Sequence, residues 1–143
     1  FFPPHPANPD SSTSRGLGDV YKRQVVKAVS EIEDDDIILD IGPETAGNFS
    51  DLIESMRTVI WNGPMGVFEF PQFSRGTESI ALAVARNEGF SIAGGGETIA
   101  AIDRFAVGND ISYISTGGGA FLEFVQGGQL PAVQILKEKS NNF

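Results

Sequence analysis

The same three-glycine run occurs twice in this chain, each time after a short apolar run: Phe90-Ser91-Ile92-Ala93 leads into Gly94-Gly95-Gly96, and Ile111 to Ser115 leads through Thr116 into Gly117-Gly118-Gly119. Both triplets open into text with helical spacing. Strand, glycine turn and helix in succession restrict the chain to an α/β layer. In such layers ligands bind beyond the carboxyl ends of the strands. Glycine there lets backbone approach a ligand closely, and a helix start exposes unpaired N–H groups. The helix dipole adds about 0.3–1 kcal/mol per negative charge. Two such turns side by side make a phosphate cradle. The competing reading is structural: tight turns with close helix–strand packing.

The remaining text fits the same layer. Residues 37–42 form a β-branched run stopped by Gly-Pro, and Thr58-Val59-Ile60-Trp61 a second run stopped by Asn62-Gly63-Pro64. Both predict strands, followed by 90–93 and 111–115. Residues 45–57 place Phe49, Leu52, Ile53 and Met56 on one helix face. A second helix is predicted from Ser74 or Thr77 to Asn87, with Ile80, Ala81, Val84 and Ala85 inward and Gly89 beyond its end. Further helices are expected over 97–105, 120–125 and 131–139, the last with Pro131 in its first turn. The fold class expected is α/β, a Rossmann-like three-layer arrangement on a mostly parallel sheet.

Composition narrows the chemistry. At 143 residues the length is that of one domain. No stretch approaches the ~20 apolar residues of a membrane helix. There is no cysteine, hence no disulfide framework and no thiolate site. The single histidine is His5, in a Pro- and Ser-rich head (1–24) expected to be disordered or foreign to the fold. Histidine-based triads and zinc sites are therefore not expected in the ordered part. A net charge of −9 argues against nucleic acid as a partner. No G-x-G-x-x-G follows a strand and no P-loop motif occurs, which disfavours an unrelated dinucleotide binder. Between Lys27 and Lys137 there is no lysine, and Arg57, Arg75, Arg86 and Arg104 are the only cations. Phosphoryl transfer normally needs a cation near the moving group. Either backbone alone holds the phosphates, or the cations belong to chain outside this sequence.

Two acids stand beside the glycine turns. Glu97 follows Gly96 directly, where a carboxylate either complements the helix dipole or meets a phosphate-bound Mg²⁺. Glu69 lies past the Asn62 turn, as a solvated carboxylate or an acceptor for ribose hydroxyls.

Trp61-Asn62-Gly63-Pro64-Met65-Gly66-Val67-Phe68-Glu69, then Gly76-Thr77-Glu78, then Gly94-Gly95-Gly96, then Ile114-Ser115-Thr116-Gly117-Gly118-Gly119-Ala120, with Leu130-Pro131 near the end, resemble phosphoglycerate kinase in its bacterial form. The resemblance runs from about Asp40 to the end and corresponds to roughly the last third of that family's chain. It implies that residues 25–143 are the C-terminal part of a nucleotide-binding domain. The phosphoglycerate-binding domain, the phosphate lysines and the catalytic arginine of the family would lie upstream.

The activity implied is reversible phosphoryl transfer between 1,3-bisphosphoglycerate and ADP, giving 3-phosphoglycerate and ATP. The cofactor implied is Mg²⁺ with ATP/ADP, in a cytoplasmic monomer without membrane or nucleic-acid partners. Residue by residue, Asn62, Pro64, Gly66 and Val67 would line the nucleotide and Glu69 would bind ribose. Gly94, Gly95, Gly96 and Thr98 would meet the phosphates. Gly117, Gly118 and Gly119 would sit near the migrating phosphoryl group, with Gly95 and Gly118 closest to catalysis. Glu97 would be the metal contact, although the family usually has Asp there. The alternative is a nucleotide-binding remnant without catalysis.

Overall fold

The computed structural model describes residues 10–14 and 25–140. Six strands divide into two three-stranded sheets. In the first, β1 (Asp10–Ser14) lies between β2 (Val25–Ala28) and β3 (Ile37–Ile41) and is antiparallel to both. The second sheet is parallel, in the order β4 (Thr58–Trp61), β5 (Phe90–Gly94), β6 (Tyr113–Ser115). The helices are α1 (Pro43–Ser55), α2 (Arg75–Arg86), α3 (Gly96–Phe105), α4 (Gly119–Val125) and α5 (Pro131–Ser140).

The mixed α/β class and the parallel run of β4 to β6 agree with the sequence reading. Two features correct it in detail. Residues 37–41 form a strand, but in the antiparallel sheet and with Ile37 and Ile38 exposed: a β-branched run reports strand propensity, not burial or strand direction. The head contains a strand at Asp10–Ser14, where neither strand nor order is expected from its Ser/Thr text. Backbone pairing on both sides supplies what side-chain propensity does not. The rest of 1–24, including His5, lies outside the described residues.

One face of the parallel sheet carries the core. Trp61 and Ala93 pack there with Ile80, Ala81 and Val84 of α2 and Ala101 and Ile102 of α3, as helical spacing requires. On the opposite face the register aligns Ile60, Ile92 and Tyr113. Ile60, Phe90 and Tyr113 are about half exposed there. The helix α1 runs against α2, joined at the surface by Arg86, whose Nε and Nη2 donate to Glu54 Oε1 at 2.8 and 2.6 Å. The buried Asn87 closes the same corner: its Nδ2 donates to the carbonyls of Ile53 (2.6 Å) and Met56 (2.8 Å), and its Oδ1 accepts from Gly89 N–H (2.9 Å). One amide side chain thus serves the carboxyl end of α1, where Ile53 O also accepts Met56 N–H at 3.1 Å. The result is a fixed route from α1 through β4 and α2 into β5, with the strand ends aligned on one edge.

Candidate functional site

The carboxyl edge of β4–β5–β6 carries three loops in register. Gly94 pairs with Ser115, so the two glycine triplets are neighbours in space. Gly95 is the N-cap of α3, with φ 97° and ψ 145°, and Gly118 is the N-cap of α4, with φ 52° and ψ −127°. Side chains are strained in both conformations, which is the physical reason for glycine at each. A Cβ on Gly96, Gly118 or Gly119 would meet no atom within 4 Å, so these positions face open space. Gly94 differs: it is buried, and a Cβ would come 2.7 Å from Phe121 of α4. Its missing side chain admits that ring. Gly117 spends its N–H on Ser115 Oγ at 3.2 Å. Beyond Gly118 the amides of Ala120 and Phe121 are taken as well, by Gly117 O at 3.2 Å and Gly118 O at 3.1 Å. With ten residues, α3 supplies a helix start; with seven, α4 supplies fewer aligned dipoles.

The loop after β4 is held from beneath. Thr98, fully buried in α3, accepts Gly63 N–H at 2.6 Å. Thr77, fully buried in α2, accepts Met65 N–H at 3.1 Å and Gly66 N–H at 3.4 Å. Asn62 Oδ1 lies 2.9 Å from where a Gly95 Cβ would sit, so this loop and the start of α3 touch. Pro64 and Gly66 are half-buried, while Asn62, Val67 and Glu69 are exposed. Phe68 is buried in the core. Arg104 pins the far end, donating through Nη1 to the Glu69 carbonyl (3.3 Å) and lying 5.9 Å from the centre of the Phe68 ring. Glu97 is exposed on the first turn of α3. Among the described residues no group of three or more His, Asp or Glu is placed to hold a metal.

Asp40 is the acid that the sequence reading passed over as part of a strand. It is 2% exposed. Its Oδ2 accepts Gly76 N–H and its Oδ1 accepts Ile41 N–H, both at 2.9 Å. Gly66 and Gly76 press on that carboxylate from two sides, and Val67 N–H donates to Leu39 O at 2.9 Å. A charged residue inside a β-branched run is the signal that could have marked it. Burial pushes its pKa up, and the two amide hydrogen bonds pull the other way without cancelling that. The linkage has a definite sign. Between the unfolded pKa, about 4, and the raised folded value, the native state holds the extra proton. Stability from this group is thus full below that window and lost as pH rises through it. Asp40→Asn removes the titration, so the stability of the parent relative to the variant should fall as pH climbs from about 4. Urea midpoints of both proteins at a series of pH values check this.

Parallel strands β5 and β6, whose carboxyl ends run through glycine N-caps into helices, define an α/β protein with two glycine turns side by side on one sheet edge. The family model for phosphoglycerate kinase matches residues 10–128. The solved structure of phosphoglycerate kinase from Coxiella burnetii superimposes with a TM-score of 0.86 at 40% identity, covering 96% of this chain and 35% of that one. The enzyme from Pyrococcus horikoshii OT3 gives 0.79 at 33% identity, with 94% and 33% covered. This chain belongs to the phosphoglycerate kinase family, and it spans about a third of the length of those structures.

Proposed function

We propose that residues 25–143 are the C-terminal part of a nucleotide-binding domain and carry part of a Mg·ATP/ADP site. The enzyme so completed would transfer phosphoryl between 1,3-bisphosphoglycerate and ADP. Asp10–Ser14 would accompany this unit, since these residues pair with β2 and β3 and fall within the family match. The observation that carries the reading is the pair of adjacent glycine N-caps, Gly95 and Gly118, at the ends of paired strands. Amides after Gly95 would hold phosphate oxygens, and those of Gly118 and Gly119 would face the migrating group. Preorganised donors of this kind stabilise charge that is spread over equatorial oxygens. Asn62, Pro64, Gly66 and Val67 would border the nucleoside, with Glu69 toward the ribose.

Glu97 suits a divalent ion held mainly by phosphates and water, because it offers one exposed carboxylate and no cage. Such an ion neutralises phosphate charge. The Glu97 carboxylate, one methylene longer than that of Asp, would meet it through water. Among the described residues no helix is long and apolar enough to cross a membrane. The acidic balance weighs against nucleic acid, and a monomer in the cytoplasm is the setting we propose.

The scarcity of cations favours one further statement: alone, the 143-residue chain should show no turnover in a coupled assay. The test of function is a chimera in which residues 25–143 replace the matching third of the Coxiella burnetii enzyme. Turnover within about tenfold of the parent is expected; a folded but inactive chimera sinks the reading. In that chimera Glu97→Asp should lower the Mg²⁺ concentration for half-maximal activity and Glu97→Ala should raise it. If Glu97 serves only the helix dipole, Ala would cost about 0.3–1 kcal/mol of stability and leave the magnesium curve where it was.

A further inference from the structure

Most loops that hold phosphate do so with free amides, and the loop after β4 has few to give. Gly63 N–H is taken by Thr98 Oγ1, and the amides of Met65 and Gly66 are taken by Thr77 Oγ1. Val67 N–H is taken by Leu39 O and Phe68 N–H by Gly66 O, at 2.9 and 2.8 Å. Both threonines are fully buried, one on α3 and one on α2, and both point back at the loop. The Trp61 indole donates to Gly63 O at 2.9 Å, tying the same residue from its other side.

We infer that Thr98 and Thr77 are positioning residues, whose hydroxyls fix the 62–67 loop from beneath, and that this loop meets its ligand with side chains and carbonyl oxygens, not with amides. This rests on the nucleotide reading of the carboxyl edge, and it gives the Thr98 hydroxyl a bracing role, leaving the Thr98 amide to the phosphate-facing turn. The division of labour follows from geometry. The first turn of α3, which begins at Gly96, has N–H groups that no carbonyl within the helix can take. The loop spends its own inward, so its outer surface, with Asn62, Pro64 and Val67, is neutral and suited to a heterocycle and sugar. Because Thr98 is two residues beyond Gly96 on the same helix, any shift of the phosphate-facing turn is passed directly to Gly63. That hydroxyl is the direct tie between the start of α3 and Gly63.

The test is amide hydrogen exchange, resolved by residue, on the nucleotide-free 143-residue chain. Thr98→Val keeps the shape and removes the acceptor. It should speed exchange at Gly63 by about tenfold while leaving Met65, Gly66 and the β5 amides as they were. Thr77→Val should do the converse. The Thr→Ser variants should restore parent rates, since the hydroxyl is back. Titration of the Coxiella burnetii chimera with Mg·ADP forms a second arm: Thr98→Val should weaken binding and Thr98→Ser should not. Unchanged Gly63 exchange in Thr98→Val, equal acceleration across all loop amides, or free-peptide rates at Gly63 in the parent chain would each overturn the inference. Absence of any Mg·ADP response in the unsubstituted chimera, with the selective exchange pattern intact in the 143-residue chain, would overturn the nucleotide reading and leave the brace standing.

Discussion

Gly76→Ala should destabilise the protein by about 3 kcal/mol, adding overpacking to the loss of a buried hydrogen bond. The new Cβ would fall on the Asp40 carboxylate and within 2.5 Å of Ile41 Cγ1. Asp40 would have to leave the Gly76 amide, whose N–H it now accepts at 2.9 Å. The mechanism makes a sharper statement than the magnitude. In the background of Asp40→Ala, where the obstructing carboxylate is gone, Gly76→Ala should cost little more, since Ile41 is a side chain that can rotate. Gly66→Ala should not be rescued in this way, because its Cβ would also sit 2.7 Å from the Leu39 carbonyl, which is backbone. Urea unfolding of the three single and two double variants gives the coupling energies. Equal rescue at both glycines would show that Asp40 is not the obstacle.

Phe73→Ala is expected to cost about 3–5 kcal/mol, the range for deleting a wholly enclosed aromatic ring. Phe73 is the largest fully buried side chain among the described residues and ends the short turn Pro71–Phe73 that leads into α2. Small domains hold only about 5–15 kcal/mol in total. With a half-open sheet face, this chain has less to lose, and the variant should be unfolded in part at room temperature. Phe73→Leu, which keeps most of the volume, should cost under about 1.5 kcal/mol. The half-exposed Phe90 and Phe124 provide the contrast, and truncating either should shift the urea midpoint little.

How far the sequence speaks can be traced through individual residues. The inward face of α2 is readable because Ile80, Ala81 and Val84 recur with the helix period, and β4 to β6 because short β-branched runs meet glycine. Gly95 and Gly118 are readable for a stereochemical reason: a triplet at a strand end marks backbone that side chains cannot follow. The strand Asp10–Ser14 is not readable, since its residues are Asp, Ser, Ser, Thr and Ser and its position between two partners is set by pairing from afar. The same holds for the site. A hydroxyl does not announce its partner. Thr98 bonds to a residue 35 positions away and Asp40 to one 36 positions away. The family resemblance could therefore point to Thr98, but only the folded chain could show that its hydroxyl accepts Gly63 N–H.

Trp61 is the only tryptophan, it is 4% exposed, and its indole N–H is bonded to the carbonyl of Gly63. The protein thus has a built-in optical gauge on the very loop in question. While the loop is seated, the indole sits in an apolar, solvent-shielded setting; once Gly63 lets go, the ring meets water and its emission moves to longer wavelength. Seating and release of the loop can be followed by light alone, without a dye and without altering a residue.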